Sequence, residues 1–224
     1  MLRIAIDGAC RRNGKPDCIS TGGVYVHWLN TDGTIKCHFS FALTEGKSTN
    51  QRGELLALYK ALHYILDAQD DAIIITDSEY IFNAMTKEWT KRWSANGWKT
   101  AGGDAVKNRD LWSEIHTVSE CISQSDKSVS YYHIKGHCIP FGAVTADRLL
   151  SDDGSGEKLY KEVLKKYITV APTKQDVFDK AQKLSEVNNG YALPLNIFRT
   201  FVCMNTVVDA IASTEVANAD ARRH

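Results

Sequence analysis

The chain opens on strict alternation: Leu2, Ile4 and Ile6 share one side of an extended run, the period of a half-buried strand, and the run closes on Asp7-Gly8, where a turn begins. A polar loop rich in Arg, Asn, Gly and Lys follows. Two further strand-like runs, GGVYVHWL and TIKCHFSFAL, are joined across the turn signal Asn30-Thr31-Asp32-Gly33. Three such runs in succession predict an antiparallel meander. From Asn50 the period lengthens to that of a helix, with Leu55, Leu58, Leu62 and Ile65 on one face and Thr49 or Asn50 placed to cap it. Ala72 to Thr76 then reads as a short buried strand ending in Asp77, with Ser78 poised to start another helix.

The stretch from Trp89 to Trp112 mixes Trp89, Trp93, Trp98 and Trp112 with Lys91, Arg92, Lys99, Lys107 and Arg109 around two glycine breaks, the composition of a basic, aromatic protrusion. A helix through Leu111, Ile115 and Val118 leads into the alternating strand SVSYYHIKGH, which ends in Gly136-His137. Beyond Cys138 the pattern changes to two charged helices closed by turn signals. A last helix, roughly 196–221, carries Phe198, Phe201, Val202, Val208, Ile211, Ala212 and Val216 as a core-facing stripe. The predicted order up to His137 is three strands, a helix, a strand, three helices and a strand. The helical stretch of about 141–195 reads as an insertion in a single domain spanning 1–224, with core segments 1–140 and 196–224.

Composition adds little beyond exclusions. Across 224 residues, 27 Lys+Arg against 27 Asp+Glu leave a net charge of zero, so any case for a polyanionic partner rests on local patches. No secretory signal opens the chain, and no apolar stretch approaches membrane-spanning length, so no membrane partner is expected. Cys10, Cys18, Cys37, Cys121, Cys138 and Cys203 lack paired CxxC spacing; free thiols and a cytoplasmic location are the expectation. A zinc site from His133, His137 and Cys138 is disfavoured, because His133 lies in strand alternation and no CxxC partner exists.

Asp7 and Asp77 stand at two strand ends and Glu54 in the first turn of a helix, so a compact sheet can bring the three together. Clustered carboxylates repel and need cations between them. All-oxygen ligands suit Mg²⁺ or Mn²⁺, and two such ions fit phosphodiester hydrolysis. Singly, each has an ordinary explanation: Asp7 as a turn former, Glu54 as a helix-start charge, Asp77 as an N-cap.

The surrounding strings decide between these readings. IAIDGAC (4–10), GGVYV (22–26), STNQRGELLAL (48–58), IITDSEYI (74–81), the Trp-rich stretch through GWKT and VKNRDLW, and HIKGH (133–137) resemble, in order, the type 1 ribonuclease H family. The resemblance implies an α/β ribonuclease H-like fold. Its sheet is mixed and five-stranded, three strands antiparallel and then two parallel, flanked by helices, and the insertion precedes the last helix. It implies an endoribonuclease that cuts the RNA strand of RNA–DNA hybrids with two Mg²⁺ ions, or Mn²⁺, leaving 5′-phosphate and 3′-hydroxyl ends. Asp7, Glu54 and Asp77 take the family's metal-binding positions and His137 its loop histidine. Asn50 and Gln51 match the polar pair that reads 2′-hydroxyls. Thr49 resembles the DNA-phosphate contact, and Lys91, Arg92, Trp93 and Lys99 the basic handle on the DNA strand.

The fourth metal-site carboxylate of the family has two candidates. Asp147, in TADRLLS, has the compact spacing after His137; Asp209, in NTVVDAIA, matches the family string with Asn205 and Ala212. The helix holding Asp147 would run almost at once into DDGSG, whereas Asp209 shares a long amphipathic helix with Val202 and Val216 at seven-residue intervals. A carboxylate at that buried edge calls for a partner or a metal, so Asp209 is preferred and Asp147 is the alternative. Two other functions stay open: a related DNA nuclease on the same fold, such as a resolvase or exonuclease, and a degenerate domain that binds hybrid or a protein without cutting. The insertion's own partner is not readable.

Overall fold

The computed structural model describes residues 1–46, 48–138 and 155–222. Its strands are β1 (Leu2–Arg11), β2 (Ile19–Leu29), β3 (Ile35–Gly46), β4 (Ala72–Thr76) and β5 (Val129–His133). Its helices are α1 (Asn50–Ala68), α2 (Glu79–Thr86), α3 (Trp89–Ala95), α4 (Arg109–Ser123), α5 (Ser155–Val170), α6 (Gln175–Asn189) and α7 (Leu195–Ala221), with a 3₁₀ turn at Ala171–Thr173. The five strands form one sheet in the order β3-β2-β1-β4-β5. β1, β2 and β3 pair antiparallel, while β4 and β5 join parallel to β1, as the strand pattern and the family resemblance implied.

Alternation along β1 divides the core. Leu2, Ile4 and Ile6 face α1 and α4, where they meet Leu55, Leu58, Leu62, Ile65, Trp112 and Ile115, all buried. Each fully buried aliphatic side chain there contributes roughly 1.5–3 kcal/mol. Ala5, Tyr25, Ile75 and Tyr132 face the other side, under Phe198, Phe201, Val202 and Val208 of α7. The expected insertion, over its described part, joins this second core: Leu159, Tyr160, Val163 and Tyr167 of α5 and Phe178 and Ala181 of α6 are buried in the same cluster.

Two expectations are corrected. α7 is long and apolar enough to cross a membrane by length and composition, with mean hydropathy 1.3 over its best window, yet 67% of that window is buried inside the protein. It is the helix that covers one face of the sheet. Cys10 and Cys18 are joined in a disulfide, with their Cα atoms 6.8 Å apart. The cause is register: β1 and β2 are antiparallel with Cys10 opposite Ser20, which returns the chain to within reach across an eight-residue separation that no CxxC rule anticipates. Cys37, Cys121, Cys138 and Cys203 are free thiols.

Candidate active site

Strand register sets the first pair of carboxylates. β1 and β4 run parallel with Leu2 opposite Ala72 and Ala5 opposite Ile75, a constant offset that brings Asp7 alongside Asp77, just past the carboxyl end of β4. The turn expected at Asp7-Gly8 does not form, because β1 continues to Arg11 with Asp7 paired to Gly23 of β2. That end of an open α/β sheet is where crevices form. α1 packs over β1 and supplies Glu54, and α7 crosses from the opposite face with Asp209. Asp7, Glu54, Asp77, Asp209 and His137 thereby line one open cavity of about 600 Å³, together with Asn50, Arg11 and Ser213. Asp147 lies outside the described residues.

Each acid makes at least one polar contact, short at Asp7 and Glu54 and longer at Asp77 and Asp209. The Gly8 N–H donates to Asp7 Oδ1 at 2.7 Å. Glu54 accepts from Ser78 Oγ at 2.7 Å and from Asn50 Nδ2 at 3.0 Å. Asp77 Oδ2 accepts from Asn205 Nδ2 at 3.4 Å. Asp209 Oδ2 stands 3.3 Å from His137 Nδ1, and its Oδ1 accepts from Ser213 Oγ at 3.4 Å. His137 reaches it from a left-handed backbone conformation at φ 55°, with most of its side chain exposed.

Burial and mutual repulsion shape the electrostatics. Burial first, then the neighbouring Asp77 and Asp209 carboxylates, push the Asp7 carboxyl well above the usual range, against the pull of the Gly8 N–H. Burial raises Glu54, and its bonds from Ser78 and Asn50 restrain the rise. Burial raises Asp209 as well, with His137 opposing. Four acids around one cavity, with no lysine or arginine among the described residues bonded to any of them, form a site that excess negative charge disfavours until a cation enters. Among the described residues, no three His, Cys, Asp or Glu side chains already enclose a metal position. The donor set nevertheless suits a hard cation, being carboxylate oxygen throughout.

Local structure refines the sequence reading. Glu54 is the fifth residue of α1, past its first turn, so helix-dipole stabilisation does not account for it. Thr49 is the N-cap, its hydroxyl accepting from the Arg52 N–H at 3.3 Å. Ser78, not Asp77, caps α2. Ser78 and Asn205 are site residues whose roles the charge pattern did not reveal; only the placement of Ser78 after Asp77, and of Asn205 four residues before Asp209, hinted at them.

The remaining predicted contacts lie outside the carboxylate cavity. Gln51 is exposed in the first turn of α1. Lys91, Arg92 and Lys99 are exposed around α3; Lys91 pairs with Glu88 at 2.9 Å and Arg92 donates to the Lys87 carbonyl at 2.7 Å. Such surface pairs are weak. Trp93 packs edge-on against buried Trp112, which bonds Tyr80 through its indole N–H at 2.9 Å. The aromatic rings therefore anchor the protrusion, while Trp89, Arg92, Trp93 and Lys99 border a surface groove of about 460 Å³. The suggested zinc ligands part company: His133 bonds the Asp77 carbonyl, and the Cys138 thiol donates to the Lys135 carbonyl.

A family model for RNase H matches residues 2–154. It takes in Asp7, Glu54, Asp77, His137 and Asp147 and ends before α7, so Asp209 joins the cavity by the fold and not by the match. A protein named Ribonuclease H from Francisella tularensis subsp. novicida (strain U112) is 36% identical over 143 residues, 64% of this chain and 84% of its own length. Another so named, from Xanthomonas campestris pv. campestris (strain 8004), is 34% identical over 136 residues, 61% of this chain and 80% of its own. Among solved structures, a type 1 RNase H with the type 2 active-site motif shows 26% identity and a TM-score of 0.48, covering 61% of this chain and 63% of that one.

Proposed function

Since the chain belongs to the ribonuclease H family and is an enzyme of that type, we propose that it hydrolyses the RNA strand of RNA–DNA hybrids at the carboxylate cavity, leaving 5′-phosphate and 3′-hydroxyl ends. The observation that carries the reading is the convergence of Asp7, Glu54, Asp77 and Asp209 from β1, α1, the end of β4 and α7 on one cavity. An all-carboxylate site with three of its acids raised above their ordinary range is chemically suited to Mg²⁺, with Mn²⁺ as a substitute. These four residues would hold two ions. Bound there, such ions supply an oriented water for attack on phosphorus and neutralise the developing charge on the leaving oxygen.

The chain's own groups do the remaining work. The Gly8 N–H, Ser78, Asn50 and Asn205 hold the acids in place, which limits the reorganisation needed when substrate arrives. His137 is exposed beside Asp209 and is placed to carry a proton between the cavity and water, an accessory task that helps product leave. Asn50 lines the cavity and Gln51 follows it, exposed, on α1. Both are suited to reading 2′-hydroxyls, and Thr49, the N-cap before them, to a DNA phosphate. Lys91, Arg92, Trp93 and Lys99 form the second contact, on the DNA strand, with phosphates replacing the weak surface pairs.

Strand and end-group analysis tests this reading. A hybrid labelled on either strand, incubated with Mg²⁺ beside duplex DNA and duplex RNA, should lose only its RNA strand and yield products that are substrates for 3′-end ligation. Cleavage of duplex DNA at a comparable rate would assign the cavity to a DNA nuclease instead.

A further inference from the structure

Among the described residues β5 is an edge strand, and the outward N–H and C=O of its last residue, His133, have no neighbouring strand there to bond. The Asn189 side chain takes that place. His133 N–H donates to Asn189 Oδ1 at 2.8 Å, and Asn189 Nδ2 donates to the His133 carbonyl at 2.8 Å. One amide thus reproduces both bonds of a hydrogen-bonded antiparallel pair and closes the strand edge. Asn189 Nδ2 also donates to the Ser185 carbonyl at 2.6 Å, so its orientation is fixed from within α6. The helix stops one residue later at Gly190, in the left-handed conformation at φ 74°.

The adjacent residue acts on the imidazole. Asn188 Nδ2 lies 3.0 Å from His133 Nδ1, and His133 Nε2 lies 3.2 Å from the main-chain carbonyl of Asp77. A carbonyl oxygen can only accept, so Nε2 carries the proton. Nδ1 is then the acceptor and the Asn188 amide its donor. His133 is 2% exposed. The Asp77 carbonyl therefore sets the tautomer, and the Asn188 amide, donating to Nδ1, holds the ring in the orientation that bonds the main chain at Asp77, fifty-six residues away along the chain from His133.

We propose that Asn188 and Asn189 are positioning residues for hydrolysis. Through His133 they fix the main chain at Asp77, so the inserted helix α6 sets where that carboxylate stands in the cavity. The proposal rests on the ribonuclease reading for its catalytic half. It gives the inserted segment a task inside the active site, alongside its burial in the second core.

The full chain with Asn188→Leu tests this, since leucine keeps the volume and removes the donor. In the wild type, ¹⁵N-resolved imidazole spectra should show His133 protonated on Nε2 with Nδ1 accepting a hydrogen bond; in Asn188→Leu the Nδ1 resonance should move to that of an acceptor nitrogen without a donor. For Mg²⁺-dependent hybrid cleavage, kcat should fall on the order of 10-fold, the lower end of what lost outer partners of a metal site cost, with KM unchanged. Asn189→Ala should lower kcat in the same way. If that variant fails to fold, Asn188→Leu decides alone. Wild-type His133 protonated on Nδ1, or an Asn188→Leu enzyme with wild-type kcat, overturns the proposal. If the wild type cuts no hybrid, the ribonuclease reading falls by itself, and the imidazole spectra of the two proteins still decide whether Asn188 locks His133.

Discussion

Gly136 lies against the Asp77 side chain so closely that a Cβ added to it would stand 2.1 Å from Asp77 Oδ2, 3.0 Å from Cγ and 3.2 Å from Cβ. Ordinary contact begins at 3.4 Å, so Gly136→Ala forces the carboxylate or the histidine loop to move by about 1.3 Å. The loop has little freedom to yield: Ile134 bonds the Thr76 carbonyl at 3.0 Å, and Cys138 bonds the Lys135 carbonyl at 2.9 Å. The carboxylate can rotate, but doing so breaks its contact with Asn205. A misplacement of about 1 Å in a positioned reacting group costs on the order of 100-fold in rate. Overpacking by one methyl costs about 1–3 kcal/mol of stability. Gly136→Ala should therefore remain folded, by circular dichroism and thermal melting, while kcat for Mg²⁺-dependent hybrid cleavage drops about 100-fold. A folded Gly136→Ala enzyme within twofold of wild type would refute the claim that Asp77 occupies a fixed place set by this loop.

Three further outcomes follow from the same geometry. Asp7→Asn should stabilise the metal-free fold at neutral pH by about 1.4 kcal/mol for every unit by which the native carboxyl is shifted upward, seen as a higher melting temperature in EDTA. An acid raised on folding loses stability as pH climbs from its unfolded value through its native one, so the metal-free wild type should weaken over that rise and the variant less so; a variant that melts lower in EDTA contradicts this. Asp209→Asn should remove at least 100-fold of the activity, as expected when a positioned transition-state contact is lost, whereas Asp147→Asn should retain it; the reverse pattern would move the fourth carboxylate to the segment before α5. Replacing Lys91, Arg92 and Lys99 with alanine should weaken hybrid binding and flatten its dependence on log salt by roughly 0.9 per lost phosphate contact, and an unchanged slope in a binding titration would remove α3 from the interface.

Much of this site was legible because its signals are local. The alternating Leu2, Ile4 and Ile6 lead to Asp7 within β1 and the buried run of β4 leads to Asp77 just past its end, and parallel pairing of the two strands sets those residues side by side. The seven-residue spacing of Val202, Asp209 and Val216 put Asp209 at the edge of a buried stripe; the structure has both valines buried and the aspartate half-buried at the cavity wall. What escaped depends on contacts between distant segments. The Cys10–Cys18 bridge follows from hairpin register, and the Asn188–His133–Asp77 chain joins three segments that no periodicity connects. Ser78 and Asn205 carry no charge and resemble any capping or helical polar residue until their partners are seen. The apolar length of α7 went unrecognised because its polar residues interrupt the run, while its mean hydropathy over a window reaches 1.3.

The most direct test of the central claim is cleavage of a labelled RNA–DNA hybrid with and without Mg²⁺ by the wild type and by Asp77→Asn, which preserves shape and removes one negative charge from the cavity. The account predicts RNA-strand cleavage that requires the metal and is abolished in the variant, with hybrid binding retained by both proteins. Metal-independent cutting, or an Asp77→Asn protein as active as the wild type, would contradict it.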